Sequence, residues 1–257
     1  MKFLSNPKNL PVFSAGAGLM ALVLRSLLFL LGRDEKNLLI SGHPLDLLVW
    51  IVTAAAAAVI LASVWKLAGS SGYADNFGPS AAAAVGSFAL AGGIAVSVIL
   101  GGSSGLRLEM LYRFIGALAV PAVVWAGLCR WKGKQPFFLL HGIVCLYLTL
   151  YSISHYQTWS SHPQMQDWFF SMAGIVCLVL FSYYQTAFPV GLGKRRLQLL
   201  VGLLGGFFCI GAIASSEDTL MYLGGALWML TNLCSLTPAS RRRKNPITEK
   251  DIPHETA

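Results

Sequence analysis

Eight stretches of this 257-residue chain are each long and apolar enough to cross a bilayer, and that pattern limits the fold more than any other feature. A helix spans ~30 Å of hydrocarbon with about 20 predominantly apolar residues. The runs lie at 12–32, 45–67, 79–101, 107–129, 136–155, 165–187, 196–214 and 219–236. In lipid an unpaired backbone group costs several kcal/mol, so a spanning segment is a helix or part of a closed barrel. The ~10-residue alternation of barrel strands is absent. The chain therefore reads as an all-α integral membrane protein, a bundle of eight transmembrane helices. The first run exceeds a signal-peptide core, contains Arg25 and continues into Arg33, Asp34, Glu35 and Lys36 with no small-residue cleavage site, so it reads as a retained span. Residues 1–240 read as a single transmembrane domain. Residues 241–257, basic and polar, read as a disordered cytoplasmic tail.

Charged residues make up 12 % of the chain, against roughly 25 % in soluble domains. This excludes a water-soluble enzyme domain, a disordered chain and a nucleic-acid-binding fold, even though the net charge is +8. The excess is topological. Fourteen of the 19 Lys and Arg fall on one alternating set of connections: Lys2, Lys8, Lys66, Arg130, Lys132, Lys134, Lys194, Arg195, Arg196, Arg241, Arg242, Arg243, Lys244 and Lys250. The opposite set holds Arg33, Lys36 and Arg107. Basic loops stay in the cytoplasm, so both termini are expected there, with the protein in the plasma (inner) membrane of a bacterium. The lipid bilayer, with its anionic headgroups, is the partner this charge calls for, and no nucleic acid is needed. Trp65 and Trp131 then fall at the inner interface, and Trp159 and Trp168 at the outer one.

Packing inside lipid relies on small side chains at helical spacing. The third run carries Ala89, Gly93, Ser97 and Gly101, each four apart, which predicts a central helix in close contact along its length. Gly202 and Gly206 in the seventh run, and Gly224 and Gly225 in the eighth, offer similar contacts. Pro121, inside the fourth run, predicts a kink.

Ionisable groups within spans are costly and mark candidate sites. They gather in the outer half: Arg25 in the first span, Asp46 at the start of the second, Glu109 and Arg113 four apart at the start of the fourth, and Asp167 at the start of the sixth. Glu217 and Asp218 follow Ser215 and Ser216 as a capped helix start. The inner half offers only His141, expected as a hydrogen-bonded core residue, with Lys66 and Arg130 at the boundary. Asp46 and Asp167 each suit a first helical turn, where a carboxylate complements the dipole, and Glu109 with Arg113 suits an i, i+4 pair. Arg25 is too deep to reach water easily and calls for a partner such as Asp46 or Glu109. Tyr147, Tyr151 and His155 follow at helical spacing, leading to Trp159 and His162. Two accounts fit them, an interfacial aromatic belt or the wall of an outward pocket shared with Arg25, Glu109 and Arg113.

Other chemistry is hard to place. There is no HExxH, no nucleophile elbow and no CxxC, and the five cysteines lie in or beside apolar runs. His43, His155, His162, Asp46 and Asp167 lack a recognised metal-ligand spacing, and nothing in the pattern requires a cofactor. The expected function is binding or transport of a small solute, with Arg25, Glu109, Arg113, Tyr151, His155, Asp46 and Asp167 lining the site. The alternative is a non-transporting assembly, anchoring or sensory subunit that binds another membrane protein. An outward-facing membrane enzyme is third.

Overall fold

The computed structural model describes residues 9–34, 39–40, 43–65, 67, 69–100, 109–160, 164–214 and 218–237, without the side chains of Glu109, Met165 and Gln166. The 241–257 tail, Lys66, Gly101, Arg107, His162 and Glu217 lie outside the described residues. Among those described, every regular element is helical, and two isolated bridges, Arg33 to Leu39 and Phe77 to Leu236, are the extended pairings.

The chain forms α1 (Leu10–Leu31), α2 (Pro44–Trp65), the short α3 (Tyr73–Asn76), α4 (Ala81–Leu100), α5 (Glu109–Trp131), α6 (Phe138–Trp159), a 3-10 turn (Met165–Trp168), α7 (Phe169–Ala187), α8 (Arg195–Ala212) and α9 (Thr219–Cys234). Seven of these are long and apolar enough to cross a membrane, and α9, at 16 residues, is a shorter apolar helix. All eight lie within four residues of the runs read from the sequence. The largest differences, four residues each, are at the end of α6, which continues to Trp159, and at 165–168, where a 3-10 turn precedes α7.

Local chemistry sets the helix ends. Pro11 stands in the first turn of α1, where a missing N–H costs nothing. Pro44 opens α2, with Asp46 in its first turn. The Ser80 hydroxyl accepts from the Ala83 N–H at 3.2 Å and caps α4. Gly133 ends α5 at φ +66°, where the Lys134 N–H reaches back to the Cys129 carbonyl at 2.8 Å; only a glycine adopts that backbone without strain. Helix α5 runs unbroken through Pro121.

Helices α4 to α9 each pack on the next, and α9 returns against α4. Helix α1 packs on α8, and α2 rests on α1 and α8. Small residues make the closest approach. A Cβ on Gly93 would sit 2.7 Å from the Leu220 carbonyl oxygen, and one on Gly224 would sit 2.6 Å from the Ala89 carbonyl oxygen. The α4 stripe is therefore a tight interface with α9, as the spacing predicts, but α4 is not the most enclosed helix. That is α8, with 72 % of its span buried against 50 % for α4. Gly202, Gly205 and Gly206 of α8 abut Phe181, Met229 and Leu230, and α1, α2, α7 and α9 surround it.

Large apolar side chains cover the lateral surface, among them Leu30, Trp65, Leu100, Met110 and Phe114. In water so extensive an apolar surface would drive association, whereas in hydrocarbon it is the solvated face. The chain is a polytopic helical membrane bundle.

Candidate functional site

The helices run alternately up and down, so the bundle has two ends. One contains the finish of α1, α6 and α8 and the start of α2, α7 and α9; it is called the Asp218 end. The other, the Arg195 end, contains α3 and the start of α8. Every site residue expected from the sequence lies toward the Asp218 end, but they do not form one pocket.

Arg25 is 3 % exposed. Its Nη1 donates to the Gly211 carbonyl at 2.7 Å and its Nη2 to the Asp167 carbonyl at 2.7 Å. Gly211 belongs to the last turn of α8, whose carbonyls have no partner within the helix, so a cation placed there satisfies one of them and complements the dipole. The guanidinium carbon also lies 4.4 Å from the centre of the Phe170 ring. Beside it is a cleft of about 20 Å³, room for about one water, lined by Arg25, Leu39, Asp46, Trp50 and Asp167 among others. The cleft is thus lined by one basic and two acidic residues. Gln164 holds the lining residue Leu39: its amide accepts from the Leu39 N–H at 2.7 Å and donates to the Leu39 carbonyl at 3.0 Å, joining the segments that follow α1 and precede α7.

A second cluster lies where α6 meets the start of α9. The Tyr151 hydroxyl donates to Asp218 Oδ2 at 2.7 Å, and His155 Nε2 lies 2.9 Å from the same oxygen. His155 and Asp218 are each 26 % exposed. Burial pushes the Asp218 carboxyl up, but the contacts with His155 and Tyr151 outweigh it and hold the group below its ordinary value. Asp218 is the N-cap of α9 and makes no side-chain capping bond, while Ser215 and Ser216, expected to cap this start, lie outside the described residues. Its carboxylate is turned toward α6 instead.

Aromatic rings continue the cluster. Tyr151 lies 4.0 Å from His155, His155 5.1 Å from Trp159, and Trp159 stacks on Trp168 at 5.1 Å. Trp159 is buried, so its ring faces inward and is not part of a lipid-facing belt. Trp65 and Trp131, by contrast, are exposed. Toward the centre, the hydroxyls of Tyr112 and Tyr147 meet at 3.0 Å. Arg113 lies on α5 and is exposed, and Glu109 opens that helix, its side chain being outside the described residues. Arg25, Asp46 and Asp167 are thus together, Tyr151 and His155 are together with Asp218, and Arg113 faces outward.

The Arg195 end overturns the expectation that His141 is the only buried ionisable group there. Arg130 and Arg195 are 5 % and 3 % exposed. Arg195 donates to Asn76 Oδ1 at 3.0 Å and to the Thr237 carbonyl at 2.7 Å. Arg130 donates to the Gly78 carbonyl at 2.7 Å and to Ser235 Oγ at 2.6 Å. Both guanidiniums tie the α3 segment to the end of α9. Counted as topological charge, they gave no sign of this, because a loop-end arginine looks the same in sequence whether it faces water or a carbonyl. His141 is buried as expected, but its Nδ1 has no hydrogen-bond partner among the described residues.

No group of three or more His, Cys, Asp and Glu side chains among the described residues is placed to hold a metal ion. The chain matches no protein-family model, no curated protein and no solved structure, so its site is read from its own residues.

Proposed function

We propose that this membrane protein binds a small solute at the Asp218 end and moves it across the plasma membrane, with both termini in the cytoplasm. The observation that carries this reading is the cleft where Arg25, Asp46 and Asp167 meet. Charge is expensive in a bundle of this composition, and three ionisable groups around one opening exceed what a structural ion pair needs. With two carboxylates beside one guanidinium, the cleft favours a solute carrying a positive or hydrogen-bond-donating group, and Arg25 would act as a counter-charge. Tyr151 and His155 lie outside this cleft, with Asp218 at the same end of the bundle, and Glu109 and Arg113 stand at the start of α5. The 14-to-3 distribution of Lys and Arg supports the sidedness.

The test compares cells expressing the wild type, Arg25→Leu and Arg25→Lys at equal membrane levels in a defined medium, with solute uptake and release followed by mass spectrometry. Exchange of one or a few solutes is expected with the wild type and is lost with Arg25→Leu. Identical profiles for all three inserted proteins refute the reading. Sidedness is checked with single cysteines at Thr158 and Gln135, which lie at opposite ends. A membrane-impermeant maleimide added to intact cells should label position 158 and spare 135.

A second reading, a non-transporting subunit, is favoured by one observation: two Arg25 donors end on backbone carbonyls, as in a structural clamp. It predicts that Arg25→Leu lowers stability without changing any solute profile, and that the protein copurifies with a membrane partner.

A further inference from the structure

His155 is placed with both ring nitrogens facing acceptors. Nδ1 lies 3.0 Å from the Tyr151 carbonyl oxygen, and Nε2 lies 2.9 Å from Asp218 Oδ2. A backbone carbonyl cannot donate, and neither can an ionised carboxylate. A neutral imidazole has one N–H and one lone pair, so it can satisfy only one of these contacts. The ring satisfies both only when it carries two protons. The site is also confined: Tyr151 lies 4.0 Å away on one side and Trp159 lies edge-on at 5.1 Å. It remains partly open at the end of the bundle, with both partners 26 % exposed.

We propose that His155 and Asp218 form a proton-binding site whose occupancy sets the charge of the corner between α6 and α9. With the proton bound, imidazolium and carboxylate make a neutral pair joined to Tyr151 by two further hydrogen bonds. When the proton leaves, it passes from the imidazole to water at that end of the bundle, one ring contact is lost, and the His155–Asp218 pair goes from neutral to a net −1 charge. No electron moves and no other bond is broken. The empty state presents a half-buried carboxylate on an aromatic wall, a surface that attracts cations.

The other titratable groups around the ring do not supply this chemistry. On α6 itself, Tyr151 donates its hydroxyl to Asp218. From α5, the Tyr112 hydroxyl is engaged with Tyr147, and Arg113 is exposed beside it. From α9, Tyr222 is fully buried one turn beyond Asp218. From the 3-10 turn, Asp167 precedes Trp168 and faces the Arg25 cleft. Asp218 is the one ionisable side chain hydrogen-bonded to the ring among the described residues.

The test is a pH titration of ¹⁵N-histidine-labelled full-length protein in lipid nanodiscs, with the His155 signals identified by their loss in His155→Gln. Over the pH range in which the protein stays folded, the ring is expected to pass from two N–H groups to one as pH rises. Asp218→Asn removes the anion and should weaken proton affinity by about tenfold, one pH unit in the midpoint. Tyr151→Phe removes a competing donor to Oδ2 and should shift the midpoint the opposite way. A ring with a single N–H throughout the range overturns the proposal, as does a midpoint that neither substitution moves. Because Tyr151→Phe keeps the charged pair and the ring volume, it decides the matter even if Asp218→Asn fails to assemble.

Discussion

Gly92 and Gly93 are neighbours on α4, yet a methyl group added at each meets a very different environment. At Gly93 the new Cβ would sit 2.7 Å from the Leu220 carbonyl oxygen and 2.9 Å from the Met221 Cα, both backbone atoms of α9. At Gly92 nothing lies within 4 Å. Ordinary contact begins near 3.4 Å, so Gly93→Ala needs about 0.7 Å of extra separation between two helices whose backbones cannot rotate out of the way. Overpacking of this kind costs about 1–3 kcal/mol. Both substitutions gain the same helix propensity, roughly 0.5–1 kcal/mol from the loss of glycine's backbone freedom. Gly92→Ala should therefore be neutral or slightly stabilising, and Gly93→Ala less stable than Gly92→Ala by about 1–3 kcal/mol, the propensity gain being common to both. Reversible unfolding in mixed detergent–SDS micelles, followed by far-UV circular dichroism, measures the difference. Equal midpoints for the two variants would refute the α4–α9 backbone contact. Gly224→Ala, which meets the Ala89 carbonyl oxygen at 2.6 Å from the other side, should behave like Gly93→Ala.

Two further predictions concern the charged groups at the ends. Arg195→Ala strands Asn76 Oδ1 and the Thr237 carbonyl, and each hydrogen bond from a charged donor contributes about 1.5–3 kcal/mol. A clear drop in melting temperature is expected in a detergent thermal-shift assay. Arg195→Lys should recover little of it, because an ammonium cannot reproduce the two-pronged geometry. Asp218, whose carboxyl is held below the ordinary aspartate value, contributes stability that is complete above that ordinary value and lost as pH falls through the lower folded one. Wild-type melting temperature should therefore fall more steeply than that of Asp218→Asn below about pH 4, and parallel curves would contradict the assignment.

Much of the fold was legible because the information is local. An apolar run of about 20 residues has to satisfy its own backbone in lipid whatever surrounds it, so α1, α2 and α4 to α8 could be placed to within four residues. The small residues around Gly93 marked a close contact for the same reason, since a missing Cβ is visible in the sequence. The candidate site was only partly legible. That Arg25 needs a counterpart follows from its depth, and Asp46 and Asp167 do lie with it around one cleft. That its Nη atoms end on the Gly211 and Asp167 carbonyls could not be read, because backbone acceptors carry no residue label.

What the sequence by itself determined was the medium and the secondary structure: a polytopic helical bundle whose charged residues, Arg25 apart, lie near the ends of its spans, because the cost of burying charge and unpaired backbone is a property of each segment alone. What only the tertiary structure decided was the pairing between segments. The rotation of α9 against α6 brings Asp218 to a histidine 63 residues away, and that of α8 and α5 turns Arg195 and Arg130 inward. Placing α8 at the centre, where the stripe on α4 had suggested otherwise, is of the same kind. Each depends on which face of one helix meets which face of another. A rotation of a fraction of a turn, which leaves every local signal unchanged, separates a buried contact from a solvated side chain.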